Sequence, residues 1–256
     1  MNGDDVSTHL DNRIGTLSLA RPPVNALRTQ TYRELVAAMR GLQEDRACSV
    51  IVVRSAVPGI FCAGADVREL PMPREVDEER QLLTRTFFAQ VLRSPVPVIC
   101  AVDGPALGAG CQLAAACDIR IATRDARFGL PEITVGRCGG GRYLMRVLPQ
   151  GTVRQMYFTG RPIAAEEAFR LGMVSELLDD ADALHRRAEE VAADIAAKSP
   201  TALRLAKQSL DIAEGMPVLA GYEVEQQFSL RLAATPDAAE AAAAFREKRE
   251  PRWSQT

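Results

Sequence analysis

The chain has 256 residues, with 31 Lys and Arg against 33 Asp and Glu for a net charge of −2; 47% of residues are hydrophobic and 25% charged. That composition excludes a disordered, collagen-like or fibrous chain and suits one large or two modest domains. No basic stripe marks a nucleic-acid or anionic-membrane partner, and with only His9 and His185 present, a zinc site or Ser-His-Asp triad has little to build on, which leaves carboxylates as the leading acid–base groups.

The opening reads as a hairpin, strands at 6–10 and 14–19 about Asp11-Asn12-Arg13, broken by Arg21-Pro22-Pro23. Thr29 or Thr31 then caps a helix to about residue 46, with Leu35, Ala38, Met39 and Leu42 at helical spacing. The apolar run 49–53 has the pattern of a strand buried on both faces.

Residues 95–117 carry only Asp103 and Gln112 as polar side chains, long enough for a membrane span were it not for internal Pro and Gly. Pro95, Pro97, Gly104, Pro105, Gly108 and Gly110 divide the stretch into a strand at 98–102, a glycine turn and a buried helix from near Gly110. A strand at 119–122 follows, and the βα alternation indicates an α/β core. From Gly139 the pattern is mostly helical, with a last strand within 173–178 and helices at 182–197, 200–213, 217–234 and 236–248. The division is an α/β core over 1–195 and a helical lobe over 196–256, whose Ala-rich helices bury little area each and would gain from docking on a partner.

Six cysteines (Cys48, Cys62, Cys100, Cys111, Cys117, Cys138) form no CxxC pair, and MNGDDVSTHLDN has no signal-peptide pattern, so reduced core thiols and a cytoplasmic location are expected. Gly108-Ala109-Gly110 lacks the third glycine of a dinucleotide fingerprint, Leu113 standing there, and no GxxxxGK[ST] or GxSxG occurs. What is left is a helix N-terminus whose free N–H groups face an anion or a developing oxyanion, or simply a tight strand-to-helix turn.

Phe61-Cys62-Ala63-Gly64-Ala65-Asp66 is a second small-residue turn, through which a ligand could reach backbone amides. If the two turns converge, each supplies one N–H to a single carbonyl oxygen. In Phe128-Gly129-Leu130-Pro131-Glu132-Ile133, one carboxylate sits between apolar neighbours, which tends to raise its pKa and suits proton transfer; a salt-bridged or capping Glu is the alternative. Gly139-Gly140-Gly141-Arg142 is a flexible loop or a weak phosphate site. The three lysines (Lys198, Lys207, Lys248) are expected to be mostly solvated.

In order along the chain, LARPPVNAL, FCAGADVREL, AVDGPALGAGCQLAAACDIRIA, ARFGLPEITVG, FTGRPIAAEEAFRLGMVSEL and FREKREPRW resemble the crotonase superfamily, the enoyl-CoA hydratase/isomerase family, from about Gly15 to Trp253. The resemblance implies a crotonase-like spiral of ββα units with a C-terminal α-helical trimerisation lobe, a homotrimer or dimer of trimers, and an acyl-CoA thioester as substrate with no tightly bound cofactor and no metal. It carries the oxyanion-hole amides over to Ala65 and Ala109. It also sets the Cys62, Ala63, Gly64 and Asp66 turn and Arg68 near coenzyme A, and makes Lys248 a candidate for a CoA phosphate.

The pattern departs at one catalytic position. Hydratases of this family use two glutamates; here Glu132 matches one, and Gln112 stands at the other. Gln positions water by hydrogen bonds but cannot accept a proton, and losing one general acid/base costs roughly 10²–10⁴-fold. One carboxylate suffices to move a double bond, so enoyl-CoA isomerisation or weak hydration is expected. Hydration proper, a CoA-thioester binder without catalysis and an assembly scaffold remain as alternatives.

Overall fold

The computed structural model describes residues 4–254. Strands β1 (Val6–Asp11) and β2 (Ile14–Leu19) form the expected hairpin, followed by α1 (Thr29–Glu44), β3 (Val50–Ser55) and α2 (Arg74–Leu92). Next come β4 (Val98–Val102), β5 (Pro105–Leu107), α3 (Ala109–Ala116), β6 (Ile119–Thr123) and β7 (Arg127–Gly129). The remainder is α4 (Gly141–Leu144), α5 (Gln150–Thr159), β8 (Ile163–Ala164), α6 (Ala165–Arg170), β9 (Glu176–Leu178), α7 (Ala181–Ala196), α8 (Pro200–Ala213), α9 (Val218–Ala233) and α10 (Pro236–Glu247).

One sheet runs in the order β1-β2-β3-β4-β6-β9, parallel throughout except for the β1–β2 hairpin. Its middle strands are apolar on both faces because both are covered. Val50 and Val52 of β3 and Ile99 and Ala101 of β4 pack against Leu184, Ala188, Ala192 and Ala196, a fourfold-spaced stripe of α7. Ile51, Val53, Val98, Cys100 and Val102 point the other way, into the larger cluster with Leu35 and Met39 of α1, Phe87 and Phe88 of α2 and Leu113 of α3. Each fully buried side chain of this size contributes on the order of 1.5–3 kcal/mol.

A second sheet, β5-β7-β8, is built of strands of two or three residues, too short for any period to show in the sequence. Its strand β5 lies between β4 and α3 in the chain. Helix α2 was also unforeseen. Its buried face is confined to Arg80, Phe87, Phe88 and Val91, with charged residues elsewhere.

Two local expectations need correction. The N-cap of α1 is Arg28, not a threonine: the Thr31 hydroxyl accepts the Arg28 N–H at 3.3 Å, and the Glu69 carboxylate accepts the Thr29 N–H at 3.0 Å. An acid from a distant turn thus satisfies the positive end of the helix. Lys207 is not solvated either. Its side chain is 5% exposed, and its Nζ lies 2.9 Å from Asp118 and 2.5 Å from Asp211 while donating to the Leu92 carbonyl at 3.1 Å. Asp118 in turn accepts the Val98 N–H at 2.8 Å, so one ammonium ties α8 to the end of α2 and the start of β4.

Among the described residues no helix is long and apolar enough to cross a membrane; the 95–117 stretch folds as β4, β5 and α3. Replacing Lys207 by Met strands two partly buried carboxylates. Lys207→Met should cost about 2–4 kcal/mol in urea unfolding; an unchanged midpoint would show that the ammonium ties nothing.

Candidate active site

The turn at 62–66 and the start of α3 lie backbone against backbone. Cys62 bridges to Ala106, the Leu107 N–H donates to the Cys62 carbonyl at 2.8 Å, and the Phe61 and Cys62 N–H groups both donate to the Pro105 carbonyl at 3.1 Å. From the other side the PPVNAL segment straps the turn down. Leu27 N–H donates to the Gly64 carbonyl at 2.7 Å, Asp66 N–H donates to the Leu27 carbonyl at 2.9 Å, and buried Asn25 donates to the Phe61 carbonyl at 3.0 Å.

A β-carbon on Gly64 (φ +90°) would stand 2.8 Å from the Leu107 oxygen and 3.2 Å from the Ala109 nitrogen, so only glycine permits this approach. The two small-residue turns therefore converge. Among the described residues neither the Ala65 nor the Ala109 N–H has a protein acceptor. Both residues line a cavity of about 380 Å³ together with Ala63, Gly64, Asp66, Gly108, Gln112 and Glu132.

Glu132 sits in a 3-10 turn, Pro131–Val135, that follows β7, so the small sheet delivers it to Gly108: a β-carbon there would be 3.0 Å from Glu132 Oε1. Gln112 Nε2 donates to Oε1 at 3.1 Å, while Oε2 is buried with no partner among the described residues. Burial pushes the carboxyl pKa above its ordinary value; the hydrogen bonds from its own backbone and from Gln112 oppose this and lose. Gln112 in turn needs Gly140 (φ +81°), because any β-carbon there would fall 2.0 Å from the Gln112 Cδ. The glycine run 139–141 thus makes room for a side chain at the site.

The resulting arrangement is a glycine-lined floor, two amides and one carboxylate oxygen, the last three without a protein hydrogen-bond partner among the described residues. It is suited to holding a carbonyl oxygen while a proton moves on the adjacent carbon. The enoyl-CoA hydratase/isomerase family model matches residues 9–256. The chain belongs to that family. It is 36% identical to a probable mitochondrial enoyl-CoA hydratase 2 of Arabidopsis thaliana, over 95% of this chain and 82% of that one, and 31% identical to a short-chain-enoyl-CoA hydratase of Clostridium acetobutylicum over 97% of each. The crystal structure of an enoyl-CoA hydratase from Bacillus anthracis superposes with a TM-score of 0.93 at 31% identity, covering 98% of this chain and all of that one.

Not every residue singled out from the sequence lies in the cavity of this family member. Ala63, Gly64, Ala65, Asp66, Ala109, Gln112 and Glu132 do. The Cys62 side chain does not: it is fully buried, its thiol donates to the Asn25 carbonyl, and burial pushes its pKa up to about 12. Cys62 contributes to the turn through its backbone alone. Asp66 is held down to about 2, first by hydrogen bonds from Arg68, whose Nη2 is 2.7 Å away, with Arg21 at 2.9 Å. Arg68 is 68% exposed beside the mouth. Lys248 caps α10 in the left-handed region, exposed and outside the lining. Of the cysteines, Cys138 is exposed at the cavity edge, whereas the other five are buried as expected.

The residues missed were those of α2 and the aromatic walls. Tyr32, Arg80, Gln81, Thr84, Arg85, Phe88 and Tyr143 all line the cavity. The three- and four-residue spacing from Arg80 to Phe88 was the available signal.

The raised Glu132 pKa has a thermodynamic sign. The folded state binds a proton that the unfolded chain has released, so stability falls as pH rises through the window between the ordinary and the raised value. Glu132→Gln should therefore match wild type in melting temperature near pH 4 and exceed it near pH 8. Wild type as stable as the variant at both pH values would mean that the carboxyl is not desolvated.

Proposed function

We propose that this member of the family catalyses enolate chemistry on an enoyl-CoA thioester, with Glu132 as the sole proton shuttle, favouring isomerisation of a 3-enoyl-CoA to the 2-enoyl ester over hydration. The observation that carries the reading is the buried Glu132 Oε2 in one cavity with the Ala65 and Ala109 amides, none of the three having a hydrogen-bond partner among the described residues. In this scheme the thioester carbonyl oxygen accepts from the Ala65 and Ala109 N–H groups. Those donors stabilise the negative charge that develops when the proton leaves C2; each such donor is typically worth ~10²–10³-fold in rate.

Glu132 takes the C2 proton as a carboxylate, becoming the neutral acid, and returns it to C4 of the dienolate. The double bond moves from C3–C4 to C2–C3, and the base is regenerated. Gln112 holds Oε1 by its amide N–H and leaves Oε2 to work. Having no proton to give or take, Gln112 supplies no second acid for the addition of water. Small residues of the 62–66 turn and Arg68 flank the entrance where the CoA moiety would lie, and Lys248 would serve a phosphate only from another position, such as a neighbouring subunit. Exposed Val218, Leu219 and Phe245 on α9 and α10, each more than four-fifths exposed, support assembly into a homotrimer or dimer of trimers.

A base with a raised pKa predicts that kcat/KM for 3-enoyl-CoA rises with pH through the Glu132 titration and then levels off. Glu132→Gln should lower isomerase turnover by at least ~10²-fold, whereas Gln112→Glu should raise hydration of 2-enoyl-CoA many-fold. Fast hydration by wild type, unimproved by Gln112→Glu, would contradict the single-carboxylate scheme and favour hydration proper.

A further inference from the structure

Helix α2 supplies a wall of the cavity that an alkyl tail would not require. From Arg80 to Phe88 the residues facing the cavity are Arg80, Gln81, Thr84, Arg85 and Phe88, polar in four positions of five. The Arg80 side chain is only 9% exposed. One edge of its guanidinium is engaged: Nε and Nη2 donate to Asp77 Oδ1 at 3.3 and 2.8 Å. Nη1 has no acceptor among the described residues.

The partner carboxylate is shared. Asp77 also receives Arg137, from the loop that follows Glu132, through Oδ2. Two guanidiniums on one carboxylate leave this wall with a net positive charge, and Arg85 adds another at the rim. The acids of the lining do not cancel it, because Asp66 is neutralised by Arg21 and Arg68, and Glu132 belongs to the reaction centre. Of the other acids on α2, Glu78 pairs with Arg74 and Glu79 with Arg33, and neither these nor Glu75 lines the cavity. Nη1 is thus left to donate into the cavity, where a charge-assisted hydrogen bond to an anion is stronger than one between neutral groups.

We propose that the acyl pocket selects acyl groups that carry a second carboxylate away from the thioester, with Arg80 as the residue that binds it and the Asp77–Arg137 pair as its support. The inference rests on the CoA-thioester reading of the same cavity and specifies the substrate class: monothioesters of dicarboxylic acids. A hydrogen-bonded guanidinium–carboxylate contact in a desolvated site discriminates strongly against a methyl group in its place, because the methyl leaves the charge unpaired.

The test is direct binding to the full chain, by calorimetry, of saturated esters matched so that a carboxylate replaces the terminal methyl: pentanoyl- against glutaryl-CoA and hexanoyl- against adipyl-CoA. Wild type should bind the carboxylate ester at least about 10-fold more tightly at one chain length or both. Arg80→Gln should bring that ratio to within about 2-fold of unity, and Arg80→Lys should keep part of it. Equal affinity, or a preference for the methyl-terminated esters at both lengths in wild type, overturns the inference while leaving the CoA-thioester reading intact. Failure of all four esters to bind overturns both.

Discussion

No side chain fits between the turn at 62–66 and the start of α3. A β-carbon on Gly64 would stand 2.8 Å from the Leu107 oxygen and 3.2 Å from the Ala109 nitrogen, and one on Gly110 would fall closer still to its neighbour, 2.4 Å from the Cys62 oxygen. Everything at the site follows from that contact. Cys62 and Ala106 are bridge partners across it, α3 begins beside it, and neither the Ala65 nor the Ala109 amide has an acceptor among the described residues. The PPVNAL strap and the β5-β7-β8 sheet hold the contact from opposite sides, so the amides are preorganised by backbone hydrogen bonds rather than by mobile side chains.

The same sheet also positions Glu132. Strand β7 pairs with β5 and then turns directly into the 3-10 segment bearing Glu132, so the carboxylate and the start of α3 are held by one small sheet. Desolvation and hydrogen bonding compete over the Glu132 proton, and burial outweighs the hydrogen bonds from its own backbone and from Gln112. The Gly140 turn that accommodates Gln112 belongs to the loop that also sends Arg137 to Asp77 on α2. The Glu132–Gln112 pair and the α2 wall of the cavity are therefore joined through residues 137–140.

Much of this was legible in the sequence where the physics is local. The apolar runs of β3 and β4 announce strands covered on both faces, and the stops at Pro200, Pro217 and Pro236 bound the last helices to within a residue or two. Gly64 and Gly108 mark turns that admit close approach, but convergence is a long-range fact that no local pattern encodes. Strands β5, β7 and β8 are too short to show a period, and α2 hides because much of its surface is charged while its inward face includes an arginine. Burial of Lys207 and Arg80 escaped for one reason: a charged residue reads as solvated until the carboxylates around it are known.

The central claim is that one carboxylate exchanges the proton at C2 while two backbone amides hold the enolate. The most direct measurement is deuterium exchange at C2 of a saturated acyl-CoA in D2O, followed by mass spectrometry, which needs no double bond and no added water. Wild type should introduce deuterium many-fold faster than buffer alone, at one of the two C2 positions, and Glu132→Gln should not. Exchange no faster than buffer, or equally fast in Glu132→Gln, would contradict the account.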